Sequence, residues 1–180
     1  MRVTGGIARG IPLRVPAAGG VRPATDYIRE AVFNSLAAFV PGTAVLDLFA
    51  GTGALGFEAL SRGARFCLFI EETSEARGLI RRNADALGLI GQCRIWRRDA
   101  TRLGPCAPQT PFDLAFADPP YGKGLGEAAL GSLVQGGWLR PGAVIVLEEA
   151  ERTPLPEISG LAAIDRRTYG DTQIGFYRAT

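Results

Sequence analysis

Along the chain the apolar positions change their period several times, and each change marks an element. From Asp26 onward Ile28, Val32 and Leu36, with Phe33, Ala37 and Val40 beside them, recur at helical spacing. Thr25 stands where an N-cap belongs and Pro41-Gly42 closes the run, so the pattern predicts a helix from about residue 25 to residue 40. The stretches "AVLDLF" (44–49), "RFCLFIE" (65–71), "CRIWRR" (93–98), "FDLAFA" (112–117) and "AVIVLEE" (143–149) are short and strand-like, most of them nearly continuously apolar. Helical periods separate them. One reaches about Arg62, one runs from Ser74 to Leu87 with Gly88 to end it, and one lies near Gly126 to Val134. Apolar strands alternating with helices predict a doubly wound α/β fold, a mostly parallel sheet covered on both faces.

Both ends depart from this alternation. "RVTGG" and "IPLRVP" flank "IARG" and predict a short N-terminal hairpin or arm. At the other end "LAAIDRRTY" and "TQIGFYR" flank Gly170-Asp171, which predicts a C-terminal antiparallel hairpin on the edge of the sheet. The 180 residues are expected to form a single domain, with 1–24 as the arm and 25–180 as the core. The longest apolar stretch, Leu36 to Leu60, is broken by prolines, glycines, Asp47 and Glu58, so no membrane span is expected. "MRVTGGIARG" lacks the apolar segment of a secretory signal, which leaves the cytoplasm as the expected location.

Composition narrows the chemistry. Histidine is absent, which removes His-based nucleophilic triads and most catalytic zinc sites, and the widely spaced Cys67, Cys93 and Cys106 fit neither a disulfide framework nor a zinc site. No metal is expected. The net charge is only +2, but Lys123 is the one lysine, and arginine is the residue suited to bidentate phosphate contact. Arg2, Arg9, Arg14, Arg22 and Arg29 give the first thirty residues a basic excess.

Candidate chemistry collects at strand ends. Gly51, Gly53 and Gly56 follow the first strand and open a helix, where a ligand can approach backbone N–H groups. Asp47 lies within that strand, where a dinucleotide site usually has an apolar residue. Glu71 ends the second strand twenty residues after Gly51, the offset of a carboxylate that accepts from ribose hydroxyls, and Asp99 is expected to end the third. This acidic rim suits a positively charged nucleoside better than a pyrophosphate. The fourth strand runs into "ADPPYGKG" (117–124). There Asp118 precedes a Pro119-Pro120 turn that lacks two donors but keeps its carbonyl acceptors, and Tyr121 follows as an aromatic face. Acceptors beside an aromatic ring form a receptor for a planar amino group, the manner in which an unstacked base is held.

"VLDLFAGTGALGFEALSRGA", "FIEE", "RDA" and "DPPY", in this order, resemble a class I methyltransferase dependent on S-adenosylmethionine, of the amino-methylating kind. With "GGIARGIPLRVP", "RPATDYIREAVFN", "GWLRPGAVIVLEE" and "YGDTQIGFY", the resemblance extends over essentially the whole chain to the bacterial 16S ribosomal RNA guanine-N2 methyltransferases. The family commonly has threonine where Ala24 stands. The resemblance implies a Rossmann-like fold with a seven-stranded sheet. It also implies that Asp47, Phe49, Ala50, Gly51 and Gly53 hold the methionine part of the cofactor, Glu71 the ribose, and Asp99 with Ala100 the adenine. Asp118, Pro119, Pro120 and Tyr121 would hold the guanine. The expected partner is 16S rRNA within a small subunit or assembly intermediate, approached by a monomer whose RNA contacts would come from Arg2, Arg9, Arg14, Arg22, Thr25, Arg29 and Lys123. Two other readings stay open: an adenine-N6 methyltransferase acting on DNA, and a noncatalytic RNA-binding or assembly protein on the same fold.

Overall fold

The computed structural model describes residues 1–17 and 25–180. The chain runs α1 (Thr25–Ser35), β1 (Ala44–Leu48), α2 (Ala54–Ser61), β2 (Phe66–Ile70), α3 (Ser74–Leu87), β3 (Cys93–Trp96), β4 (Phe112–Ala117), α4 (Leu125–Gln135), β5 (Leu139–Ala150), β6 (Leu161–Tyr169) and β7 (Thr172–Ala179). The strands form one seven-stranded sheet in the order β3-β2-β1-β4-β5-β7-β6. β1 to β5 pair in parallel, and β7 pairs antiparallel with both β5 and β6. The expected Rossmann-like architecture and C-terminal hairpin are both present.

Side-chain alternation along each strand builds a core on each face of the sheet. Val45, Cys67, Phe69, Leu114, Phe116, Val144 and Val146 pack on one side with residues of α1, α2 and α3. Leu46, Leu48, Leu68, Ile70, Ala115, Ala117, Ile145 and Leu147 pack on the other with α4 and the fully buried Trp138. Covered on both sides, the central strands need apolar residues at nearly every position, which is why they read as almost continuous runs, with Asp47 in β1 and Asp113 in β4 as the exceptions.

Some boundaries differ from the expectation. α1 stops at Ser35 instead of Val40. There the Leu36 N–H donates to both the Val32 and Phe33 carbonyls, and the Phe39 N–H donates to the Leu36 carbonyl, so the helix tightens into turns while Leu36 and Val40 stay buried. β3 ends at Trp96, so Asp99 lies three residues beyond the strand instead of at its end. β5 begins earlier, at Leu139, with a register shift opposite Phe112 and Leu114.

The hairpin expected around "IARG" forms through an antiparallel bridge between Arg2 and Pro12, with Val3, Ala8 and Leu13 buried in the main core. It is fastened to α2 by polar contacts. Glu58, fully buried, accepts from the Thr4 and Gly5 N–H groups at 2.9 and 3.0 Å, and Ser61 Oγ accepts from the Ala8 N–H at 2.9 Å. Among the described residues no helix is long and apolar enough to cross a membrane.

Candidate active site

The strand order reverses between β1 and β4, and in open α/β sheets ligands bind beyond the carboxyl ends of the strands at such a point. Two cavities meet there, sharing Phe49 and Asp118. One of about 600 Å³ is lined by Phe49, Ile70, Glu71, Ala100, Arg98 and the whole Asp118-Pro119-Pro120-Tyr121 segment, among others. The other, of about 560 Å³, has Asp47, Ala50, Gly51, Thr52, Glu148 and Thr172 on its walls.

The glycine loop is built for close approach. Gly56 packs α2 against β2 so tightly that a Cβ there would lie 2.3 Å from Phe69 Cε1 and 2.6 Å from Cys67 Sγ. That proximity brings the Gly56 N–H within 2.9 Å of Asp47 Oδ2, to which it donates. Asp47 is 1% exposed, and burial pushes its carboxyl well above the ordinary range. The Gly56 N–H opposes that shift, while the neighbouring Asp118 and Glu71 charges add to it. Phe49 adopts a left-handed backbone, φ 54°, uncommon for a bulky residue and located between the two cavities.

Glu71 is fixed on its wall by three donors. Oε1 accepts from the Gly51 N–H at 3.0 Å, and Oε2 accepts from the Thr73 N–H and hydroxyl at 2.8 and 3.1 Å. Asp99 accepts from the Thr101 hydroxyl and N–H at 2.7 and 2.8 Å, which holds its carboxyl below the usual range. Neither Asp99 nor Gly53 lines either cavity, whereas Ala100 lines the first. Tyr121 donates from its hydroxyl to Glu148 Oε1 at 2.5 Å, with Thr172 Oγ1 at 3.2 Å. The Gly122 N–H donates to Glu149 at 3.0 Å, so the fifth strand's carboxylates brace the turn after β4.

The expected RNA-facing residues divide. Arg2, Arg9, Arg14 and Lys123 are exposed. Arg29 is not: it is 3% exposed, and its Nε donates to Glu58 Oε1 at 3.0 Å, which takes it off the RNA-facing surface. Arg22 and the side chain of Thr25 lie outside the described residues. Sequence reasoning missed Arg98, Glu148 and Thr172 on the cavity walls and Glu58 behind them. Glu148 had a signal, since "VLEE" ends the fifth strand as Asp118 follows the fourth.

The relative named Ribosomal RNA small subunit methyltransferase D, from Escherichia coli strain K12, is 37% identical over 158 residues, 88% of this chain and 79% of that protein. The solved structure of yhhF from Escherichia coli matches with a TM-score of 0.86 at 30% identity, covering 99% of this chain and 97% of that one. A Thermus thermophilus 16S rRNA N2 G1207 methyltransferase, solved with AdoMet and guanosine, shares the fold at 22% identity and a TM-score of 0.65, over 92% of this chain and 45% of that one. Residues 1–178 match the family described as Conserved hypothetical protein 95. The chain belongs to that family, the family of the small-subunit (16S) ribosomal RNA methyltransferases.

Proposed function

We propose that this chain transfers a methyl group from S-adenosylmethionine to the exocyclic N2 amine of a guanine in 16S rRNA, acting in the cytoplasm on a small subunit or assembly intermediate. It would work as one domain and as a monomer, with residues 1–24 as an arm. One observation carries the reading. Asp118, Pro119, Pro120 and Tyr121 share a cavity with Phe49, Glu71 and Ala100, at the carboxyl ends of adjacent parallel strands in a member of this family.

The residues fit such a cofactor. The glycine loop lets a ligand close to the backbone, Glu71 is an acceptor suited to ribose hydroxyls, and the acidic rim suits a positive charge. Asp47, Phe49, Ala50, Gly51 and Gly53 would hold its methionine part, and Asp99 with Ala100 its adenine. When bound, it supplies an electrophilic methyl group on a sulfonium.

The protein's own task is to prepare the amine. Its lone pair is delocalised into the guanine ring and is a poor nucleophile. The Asp118 carboxylate and the Pro119 carbonyl would accept its two hydrogens and turn that lone pair out of conjugation. The proline pair keeps this turn rigid, and the hydroxyl contacts to Glu148 and Thr172 fix Tyr121 for stacking. Catalysis is then positioning plus electrostatic support, by Asp118, of positive charge developing on nitrogen.

The test is transfer of labelled methyl groups to small-subunit RNA and partly assembled subunits, with mapping of the product. N2-methylguanine is expected, and labelled N6-methyladenine would overturn the proposal. Asp118→Ala should lower turnover far more than cofactor affinity; equal losses in the two measurements would remove Asp118 from its assigned role.

A further inference from the structure

The paired acids of "VLEE" have separate tasks. Glu149 is 4% exposed and accepts from the Gly122 and Ala150 N–H groups, so it serves the backbone around it. Glu148 lines the 560 Å³ cavity instead. β4 and β5 pair Ala117 with Leu147, so Asp118 and Glu148 stand side by side one position further on. Alternation turns both of them, with Asp47 of β1, to the α1 side of the sheet, where Val45, Phe116 and Val146 pack beneath. The carboxyl groups of Asp47, Asp118 and Glu148 therefore form a row across β1, β4 and β5, and all of them line that cavity. Asp47 is at the glycine-loop end of the row, Asp118 in the middle and Glu148 at the far end.

Glu148 is also oriented. Tyr121 donates its hydroxyl to Glu148 Oε1 at 2.5 Å, and this bond passes from one cavity to the other at their junction beside Asp118. A carboxylate accepts at about four sites, so the bond sets the direction of the group without exhausting it.

Such a row distinguishes bases by what borders the amine. With an amine held at Asp118 and its ring against Tyr121, the ring atom beside the amine faces Glu148. In guanine the N2 amine lies between N1–H, a donor, and N3, an acceptor. In adenine the N6 amine lies between N1 and N7, both acceptors, and in cytosine the N4 amine lies between the acceptor N3 and a C–H. Guanine alone offers Glu148 a hydrogen bond, and adenine sets a lone pair against a carboxylate in either orientation.

We infer that Glu148 accepts the N1–H of the target guanine and so selects guanine over adenine, with Tyr121 holding the carboxylate in place. This rests on the guanine-N2 reading above and names the residue that makes the site choose that base.

The experiment compares small-subunit RNA with the same RNA carrying 2-aminopurine at the methylated guanine, a base that keeps the N2 amine but has a bare acceptor at N1. Single-turnover methylation of both RNAs is measured with the wild-type protein and with Glu148→Gln, beside a titration of each protein with S-adenosylmethionine. The wild-type protein should act about tenfold or more slowly on the 2-aminopurine RNA, the scale of one hydrogen bond to a charged group. In Glu148→Gln the amide oxygen can stay on Tyr121 while the NH2 turns to the base, where it opposes N1–H and suits a bare N1. Preference for guanine over 2-aminopurine should therefore shrink by about tenfold or reverse, while affinity for S-adenosylmethionine stays within about twofold. That change in preference isolates N1, since 2-aminopurine also lacks O6. Equal wild-type rates on the two RNAs would overturn the inference with no variant needed. So would a Glu148→Gln protein slowed by the same factor on both RNAs, which would leave Glu148 only as a support for Tyr121. A tenfold loss of S-adenosylmethionine affinity in that variant would likewise overturn it, assigning Glu148 to the cofactor. Wild-type transfer to an amine other than guanine N2 would instead overturn the guanine reading itself.

Discussion

Replacing Glu58 by glutamine tests how the arm is coupled to the cavity. Glu58 is 0% exposed and receives four donors on two oxygens. The Thr4 N–H and Arg29 Nε converge on Oε1 at 2.9 and 3.0 Å, and the Gly5 N–H and Arg62 Nε on Oε2 at 3.0 and 2.8 Å. Glutamine preserves the volume but turns one oxygen into a donor, so either pair of N–H groups must face an NH2, and Arg29 loses its buried counter-charge. Breaking a buried ion pair from one side costs about 3–5 kcal/mol, and the retained oxygen places this change near the lower figure. For a chain of this size about 3 kcal/mol corresponds to a fall in Tm of roughly 6–12 °C. Urea denaturation should show a lower midpoint with an unchanged slope, as for a loss of native stability without a change in the surface exposed. Because Met1 and Arg29 both line the 560 Å³ cavity, cofactor affinity should fall as well. A Glu58→Gln protein within about 0.5 kcal/mol of wild type would refute the reasoning, since only a solvated, weakly coupled carboxylate loses so little.

Other expectations follow from the same geometry. Asp47 has a native pKa raised above its unfolded value of about 4, so the native state binds its proton more tightly and stability declines as pH rises from that value through the native one. Asp47→Asn keeps an acceptor for the Gly56 N–H and removes that penalty. Its Tm advantage should be near zero around pH 4 and grow toward pH 8 while cofactor affinity drops, and a pH-independent difference in calorimetric scans would count against the burial argument. Gly56→Ala forces α2 away from Phe69 and Cys67, and should destabilise the fold by about 1–3 kcal/mol and weaken cofactor binding; an unaltered melting curve would contradict the close packing. Charge reversal at the exposed Arg9 and Arg14 should lower RNA affinity and flatten its salt dependence, by about 0.7 in log–log slope per lost phosphate contact on a single strand. Unchanged affinity at every salt concentration would remove the arm from the RNA surface.

The parallel strands were legible because burial on both faces leaves few positions free to be polar: β2 is apolar throughout, and β1 and β4 are each interrupted by one acid, Asp47 and Asp113. The ends of elements were less legible. Leu36 and Val40 keep helical spacing past Ser35 because the core needs them buried, while the backbone that carries them has already tightened into turns. The start of β5 was hidden for a different reason. "LRPG" lacks strand propensity, and its first residues belong to the strand because Leu139 pairs with Phe112, a contact local pattern cannot report.

The candidate site divides along the same line. Residues contributed by strand ends could be read one strand at a time, since each acid follows its own apolar run and the fold collects those ends on one rim. Glu71 and Asp118 were read that way, and Asp47 as the acid inside the first run. Arg29 and Glu58 could not be, because their roles exist only as a pair, 29 residues apart in sequence and joined when α1 and α2 pack. The available hint was Glu58 itself, a lone acid within "ALGFEALS", a helix otherwise suited to burial on every side. A charge in such a setting needs a buried partner. The cation that supplies it, Arg29, also lines the 560 Å³ cavity, so one buried ion pair joins the packing of the arm to the cavity wall.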